Sequence, residues 1–149
     1  MKLPPPLFKC LCDVGKCREK GRVCWEDDGH RYLHVRVDGC AEYPAALKRA
    51  DCVILRLDQG RMYAFVVEVK TRDYALEEVM EKLENTLSVL GEALKHPLLP
   101  IPVVYAKSHR WKRYTFLKKK AWVKYKGRLY PIAFLRHCQS IQGALPLAA

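Results

Sequence analysis

The sequence predicts an α/β domain built on a mixed sheet, and three stretches carry that prediction. Ala50 to Lys70, reading ADCVILRLDQGRMYAFVVEVK, is two apolar runs interrupted by Asp-Gln-Gly-Arg, the pattern of a β-hairpin. A helical apolar stripe then runs from Leu76 to Leu94, and the apolar run Pro100 to Ala106 follows it. Strand, helix, strand is a crossover unit, so the flanking strands should lie parallel in one sheet, beside the antiparallel hairpin. At 149 residues the chain makes one domain, long enough to bury a core. Within it, residues 1–29 form a Cys-rich N-terminal segment, 30–106 the core and 107–140 a basic, aromatic-rich extension.

The first residues, MKLPPPLFKCLC, are broken by prolines and lack the continuous apolar stretch of a signal peptide. No apolar run approaches the ~20 residues that span a bilayer. A cytoplasmic protein with no membrane partner is expected. Cys10, Cys12, Cys17 and Cys24 follow in the spacing C-x-C-x4-C-x6-C. Disulfides, Zn²⁺, an iron–sulfur cluster and free thiols all remain open, although the paired C-x2-4-C knuckles of structural zinc are missing. Abundant charge, nine prolines and a single asparagine, Asn85, resemble a thermophile's composition. Intracellular disulfides occur in hyperthermophilic archaea, so an archaeal cytoplasm and disulfide pairing fit together. Cys40, Cys52 and Cys138 could supply further partners.

Arg31 to Asp38 reads as a strand, with Tyr32, Val35 and Val37 set against His34, Arg36 and Asp38, ended by Asp38-Gly39. His30 and His34 read as surface histidines beside it rather than metal ligands. Pro44 suits the first-turn position of a short helical turn between Glu42 and Ala50, which delivers the chain to Asp51.

The hairpin's register follows from its turn. With Gln59-Gly60 as a two-residue loop, Asp58 faces Arg61, and counting outward brings Asp51 opposite Glu68. Alternation puts Glu68 and Lys70 on one face and Val67 and Val69 on the other. Two facing carboxylates require a cation. Lys70 is one candidate, and a divalent metal sharing the task with it is another; the plainer alternative is a same-face Glu68–Lys70 ion pair at a strand end. The run Tyr63 to Val67, apolar on both faces, indicates a central strand.

Asp73 is positioned to cap the helix, whose stripe comprises Leu76, Val79, Met80, Leu83, Leu87, Leu90 and Leu94, with glutamates on the other faces. The helix should end near His96, before Pro97, and its stripe should be core. Beyond it, Ala121 to Tyr125 and Arg128 to Phe134 read as two strands turning at Lys126-Gly127. Residues from Ile141 onward lack periodicity and read as either disordered or docked.

The net charge of +11 is concentrated: from Pro97 to Ala149 there are eleven Lys and Arg and no acid. Lys107, Arg110, Lys112, Arg113, Lys118, Lys119, Lys120, Lys124 and Lys126 form the block, interleaved with Trp111, Tyr114, Phe116, Trp122, Tyr125 and Tyr130. Such a block suits a polyanion, because neutralising phosphates releases condensed counterions. DNA is the expected partner, with RNA as the alternative. The aromatics suit base stacking, but regular strand alternation favours a role as the inward face of the hairpin.

Asp51-x16-Glu68-Val69-Lys70, with apolar strands between the acids, then a long helix and a short parallel strand, resembles the restriction-endonuclease-like, or PD-(D/E)XK, nucleases. The order also has a likeness to archaeal Holliday-junction resolvases. The resemblance covers Ala50 to Ala106 and implies a restriction-endonuclease-like mixed sheet core with an added basic C-terminal β-hairpin. It implies that Asp51, Glu68 and the backbone carbonyl of Val69 ligate Mg²⁺ or Mn²⁺, and that Lys70 orients the attacking water. Members carry a further glutamate on a preceding helix, for which Glu42 is the candidate and Glu26 a weaker one. Ala50 stands where the signature has proline. The expected activity is metal-dependent hydrolysis of DNA phosphodiester bonds, endo- or exonucleolytic, with a homodimer as one arrangement. The alternatives are a non-catalytic nucleic-acid-binding module of a repair or defence complex and a disulfide-stabilised protein that binds an acidic partner.

Overall fold

The computed structural model describes residues 17–18, 21–38, 40–41, 43–58, 60–72, 74–94, 96–107 and 121–145. The main sheet has five strands in the order β3-β4-β5-β6-β9. These are β3 (Arg31–Arg36), β4 (Cys52–Asp58), β5 (Arg61–Lys70), β6 (Leu98–Ala106) and β9 (Ala133–Arg136). β3, β4 and β5 are antiparallel, whereas β5, β6 and β9 run parallel, so the sheet is mixed. Two small ladders stand apart: β1 (Cys17–Arg18) with β2 (Val23–Cys24), and β7 (Trp122–Tyr125) with β8 (Arg128–Pro131).

The hairpin register is the one the turn dictates, with Asp58 paired to Arg61 and Cys52 to Val67. Gly60 sits at φ +79°, the left-handed backbone that glycine adopts at least cost in such a turn. Helix α1 (Leu76–Leu94) crosses from the end of β5 to the start of β6, and those two strands pair in parallel from Met62–Leu98 to Lys70–Ala106. Leu76, Val79, Leu83, Thr86, Leu87 and Leu90 of α1 are buried and pack with Val53, Leu55, Ala64 and Val66 of the sheet. At about 1.5–3 kcal/mol for each large apolar side chain removed from water, this stripe is the main bond between helix and sheet. The predicted cap, Asp73, lies outside the described residues.

Both faces of the sheet are covered. Opposite α1, Trp25, Tyr32, Ile54, Phe65, Val67, Val103, Tyr105, Leu135 and Ile141 form a second core. Its lid is made by segments 21–30 and 137–145. Gln142 accepts a hydrogen bond from the Glu26 amide at 3.1 Å and donates to the Glu26 carbonyl at 2.7 Å, and the Cys138 amide donates to Arg22 at 2.9 Å. The segment after Ser140 is thus docked as a 3-10 turn (Ile141–Ala144), with Ile141 buried.

Three sequence readings need correction. His34 is buried, not a surface histidine, because β3 is covered on both sides; its ring lies 6.5 Å from that of Trp25. Tyr32 and His34 share that face, and Leu33, Val35 and Val37 face α1. The short turn expected between Pro44 and Ala50 is present, closed by Leu47 N–H to the Pro44 carbonyl at 3.1 Å. The strand expected from Arg128 to Phe134 is two: Ile132 N–H turns to the Ala121 carbonyl at 2.9 Å, and the chain switches from the hairpin to the main sheet. β6 begins at Leu98, ahead of its prolines. Pro100 and Pro102 are tolerated because β9 pairs only from Val103 onward, and among the described residues no strand pairs with that half of β6 on the β9 side.

Candidate active site

The parallel strands β5, β6 and β9 finish at one end of the sheet, where β4 begins. The carboxyl ends of parallel strands are where α/β sheets commonly present ligand sites. Here this end gathers Asp51, Glu68, Lys70, Lys107 and His137.

Regular pairing of β4 with β5 stops at Cys52–Val67, and Asp51 continues it in modified form. Its amide donates to the Val67 carbonyl at 3.1 Å, while its carboxylate Oδ2 accepts the Val69 amide at 2.6 Å. The side chain thus takes a bond that a backbone carbonyl would otherwise receive, and this fixes the carboxylate at the strand end. The Asp51 carbonyl meanwhile accepts from the Asp38 amide at 3.0 Å.

Glu68 lies on the helix-facing side of β5 and is only 2% exposed. A buried carboxylate is costly unless cations and donors compensate it. Two lysines do so. Lys70 Nζ is 3.5 Å from Glu68 Oε2, and Lys82 Nζ of α1 is closer, at 3.0 Å. Lys82 also approaches Glu78, one turn earlier, at 3.8 Å. Burial alone would lower the Lys82 pKa, but the bond to Glu68 and the negative charges of Glu68, Glu78 and Asp51 more than offset this and raise it. The cluster therefore alternates sign: Asp51 and Glu68 negative, Lys70 and Lys82 positive.

Helix and strand are latched beside this cluster by Thr86. Its hydroxyl donates to the Lys82 carbonyl at 2.8 Å and accepts the Ala50 amide at 2.9 Å. Proline at position 50 would have no N–H to offer, which gives a physical reason for alanine there. At the far side His137 Nε2 lies 3.0 Å from the Lys70 carbonyl, and the His137 amide donates to the Ala106 carbonyl at 3.2 Å. His137 thereby ties the end of β5 to the end of β6.

Of the sequence-derived candidates, Asp51, Glu68, Val69 and Lys70 come together. Glu42 lies outside the described residues, as do Arg110, Lys112, Arg113, Lys118, Lys119, Lys120, Cys10 and Cys12. Glu26 is exposed on the opposite side of the sheet, bonded to Gln142. Lys107 is exposed one residue beyond Ala106, at the site's end of the sheet. Lys124 and Lys126 are elsewhere: the Lys124 amide donates to Glu84 of α1 at 2.9 Å, and Lys126 lines a cleft with Gly91 and Glu92 further along the helix. Cys138 is exposed and outside any disulfide, its thiol donating to the Gly21 carbonyl at 2.8 Å, and Cys52 is buried. Lys82, Thr86 and His137 were missed. The available signal for Lys82 was its position three residues after Val79 and four before Thr86, on the edge of the buried stripe.

The donor set suits a hard divalent cation, since Mg²⁺ is held by one or two carboxylates, with waters and substrate oxygens completing its shell. Asp51 and Glu68 provide two such groups. Among the described residues no set of three or more His, Cys, Asp or Glu side chains is arranged to hold a metal ion. No helix among them is long and apolar enough to cross a membrane. Comparison with known proteins finds no matching family model, curated protein or solved structure.

Proposed function

We propose that this protein is a metal-dependent nuclease that hydrolyses DNA phosphodiester bonds on a restriction-endonuclease-like core. The observation that carries the reading is the meeting of Asp51, Glu68, Lys70 and Lys82 on one face, where β4 begins and the parallel pair β5–β6 ends. Asp51, Glu68 and the Val69 carbonyl would hold Mg²⁺ or Mn²⁺. When bound, such a cation lowers the pKa of water and offsets phosphate charge. The protein's own groups do the rest. Lys70, half-buried beside Glu68, holds and orients the attacking water and faces the charge that builds on the scissile phosphate. Lys82 holds the Glu68 carboxylate in place. The basic residues after Ala106 grip the strand, with DNA as the substrate and RNA the alternative. The N-terminal cysteines, through disulfides or Zn²⁺, would brace the second face of the sheet, and a thermophilic cytoplasm suits that chemistry.

Purified protein should cleave DNA with Mg²⁺ or Mn²⁺ and not in chelator. Lys70→Ala and Glu68→Ala should each lower cleavage by at least about a hundred-fold, with DNA binding changed little. Unchanged cleavage in both variants would overturn the proposal.

One observation favours a second reading. The Asp51 carboxylate already accepts the Val69 amide, and Glu68 already has two lysine partners. A structural charge cluster in a non-catalytic nucleic-acid-binding module would look the same. That reading predicts salt-sensitive binding and no cleavage with any divalent ion.

A further inference from the structure

The C-terminal half of α1 and the tip of the β7–β8 hairpin enclose two adjoining clefts that the carboxylate cluster does not use. The larger, about 560 Å³, is bordered by His96, Leu99, Tyr125, Lys126, Arg128 and Tyr130. The smaller, about 360 Å³, shares Tyr125 and Lys126 and is closed by Gly91 and Glu92. Both volumes lie within the range of roughly 300–1,000 Å³ typical of small-ligand sites.

Three features set this region apart from an ordinary surface depression. First, Lys126 has a left-handed backbone, φ +48°, followed by Gly127 at +78°. Asparagine would adopt that turn position more cheaply, so a lysine there places a cation beside the cleft at some backbone cost. Second, Lys126 and Arg128 are exposed and form no ion pair among the described residues. The Lys126 ammonium lies 5.5 Å over the Tyr125 ring, a contact that leaves its charge uncompensated. Third, Tyr125 is 6% exposed, with its hydroxyl buried and unpartnered, and the ring is seated so closely on Gly91 that a Cβ there would overlap the hydroxyl. The wall of the cleft is therefore rigid. Beside it Tyr130, partly buried, and the exposed side chain of Leu99 line the same cleft as the two cations.

An anionic group attached to a flat ring matches these features. We propose that the cleft holds one unpaired nucleotide of a nucleic-acid strand, its phosphate against Lys126 and Arg128 and its base laid on Tyr130 and Leu99. The inference rests on nucleic acid being the partner and assigns the substrate an unpaired segment, since a base stacked within a duplex cannot lie on a protein ring. Glu68 pairs with Val104 and Met62 with Leu98, so the cleft lies about six residues down the strands from the carboxylates. At ~3.3 Å per residue that is roughly 20 Å. The cleft is thus a remote grip on the strand, apart from the position of bond breakage.

The test is a titration of the full chain in chelator with fluorescent (dT)4, competed by inorganic phosphate and by a blunt duplex. Lys126→Asn, which keeps the left-handed turn, Arg128→Gln and Tyr130→Leu are compared with the parent. The combined Lys126→Asn/Arg128→Gln variant and Tyr130→Leu should each weaken oligonucleotide binding roughly ten-fold or more, with phosphate and duplex competing poorly. Binding unchanged in either variant, or equal competition by phosphate or by duplex, overturns the inference. Because no metal is present, cleavage plays no part in the result. A chain that binds through this cleft yet cuts nothing contradicts only the nuclease proposal, and one that cuts DNA with the cleft inert contradicts only this inference.

Discussion

Lys82 balances the charge of a carboxylate that has almost no contact with solvent. Replacing it with methionine leaves Glu68 with Lys70 alone, and the loss should be ~2–4 kcal/mol in a denaturant titration at neutral pH, near the value for breaking a buried pair. The pH dependence has a defined sign. The Lys82 pKa is raised in the folded state, so its contribution is full below the ordinary lysine value of about 10.4 and disappears as pH rises through the folded value. Lys82→Met should therefore show a smaller loss of stability than the parent as pH rises from the ordinary lysine value of about 10.4 upward. A second residue-scale test lies on the opposite face. Burial pushes Asp28 up, but the Tyr32 hydroxyl at 2.7 Å and the His30 amide at 3.0 Å more than offset it, bringing the carboxyl down to about 2 from 3.8. That stabilisation is present above the ordinary value and lost as pH falls toward 2. After solvent screening it is worth ~1 kcal/mol. Tyr32→Phe should move the acid unfolding midpoint to higher pH; an unmoved midpoint would show that the bond contributes nothing. Asp51 and Glu68 were legible in the sequence because period-two alternation and a glycine turn determine which strand residues face one another. Lys82 was not, because a lysine in a helix rich in glutamate reads equally well as solvated.

At the scale of elements, the hairpin β7–β8 is held to α1 by a close approach. Gly91 is a poor helix residue, weaker than alanine by about 1 kcal/mol, yet a Cβ at that position would meet the Tyr125 hydroxyl. Gly91→Ala should destabilise the fold by ~1–3 kcal/mol despite its better helix propensity. In the Tyr125→Phe background, which lacks that hydroxyl but keeps ring carbons 3.1 Å from the new Cβ, the same change should cost less. Thermal melts of the four members of this cycle measure the coupling, and additive effects would contradict the contact. The elements that were legible share a long, unambiguous period: α1 and the β4–β5 pair both lie where the apolar pattern places them. Short elements were harder. β9 has four residues and carries no pattern that separates it from β8; what divides them is Ile132 bonding to Ala121 at the hairpin's edge, a tertiary contact. β6 hid its start behind two prolines, whose acceptability depends on where β9 pairs with it, which only the sheet order and register define.

Across the whole molecule, charge and architecture divide the work. The acids and lysines of the candidate centre lie at the carboxyl end of β5, whereas Lys126 and Arg128 lie toward the start of β6. The basic third is therefore not one patch: its described members stand at both ends of the sheet, an arrangement suited to a strand running along the domain. The covering of the second face by segments 21–30 and 137–145 was outside the reach of pattern reading, because it depends on pairings such as Gln142 with Glu26 across the length of the chain. The central claim is that Asp51 and Glu68 form a divalent-cation site. Its most direct test is a crystal of the protein soaked in Mn²⁺ and measured for anomalous scattering. The account predicts a peak between the Asp51 and Glu68 carboxylates, within reach of the Val69 carbonyl, that is lost in Glu68→Ala. A peak only at other residues, or no peak there with Lys82 still bonded to Glu68 at saturating Mn²⁺, would contradict it.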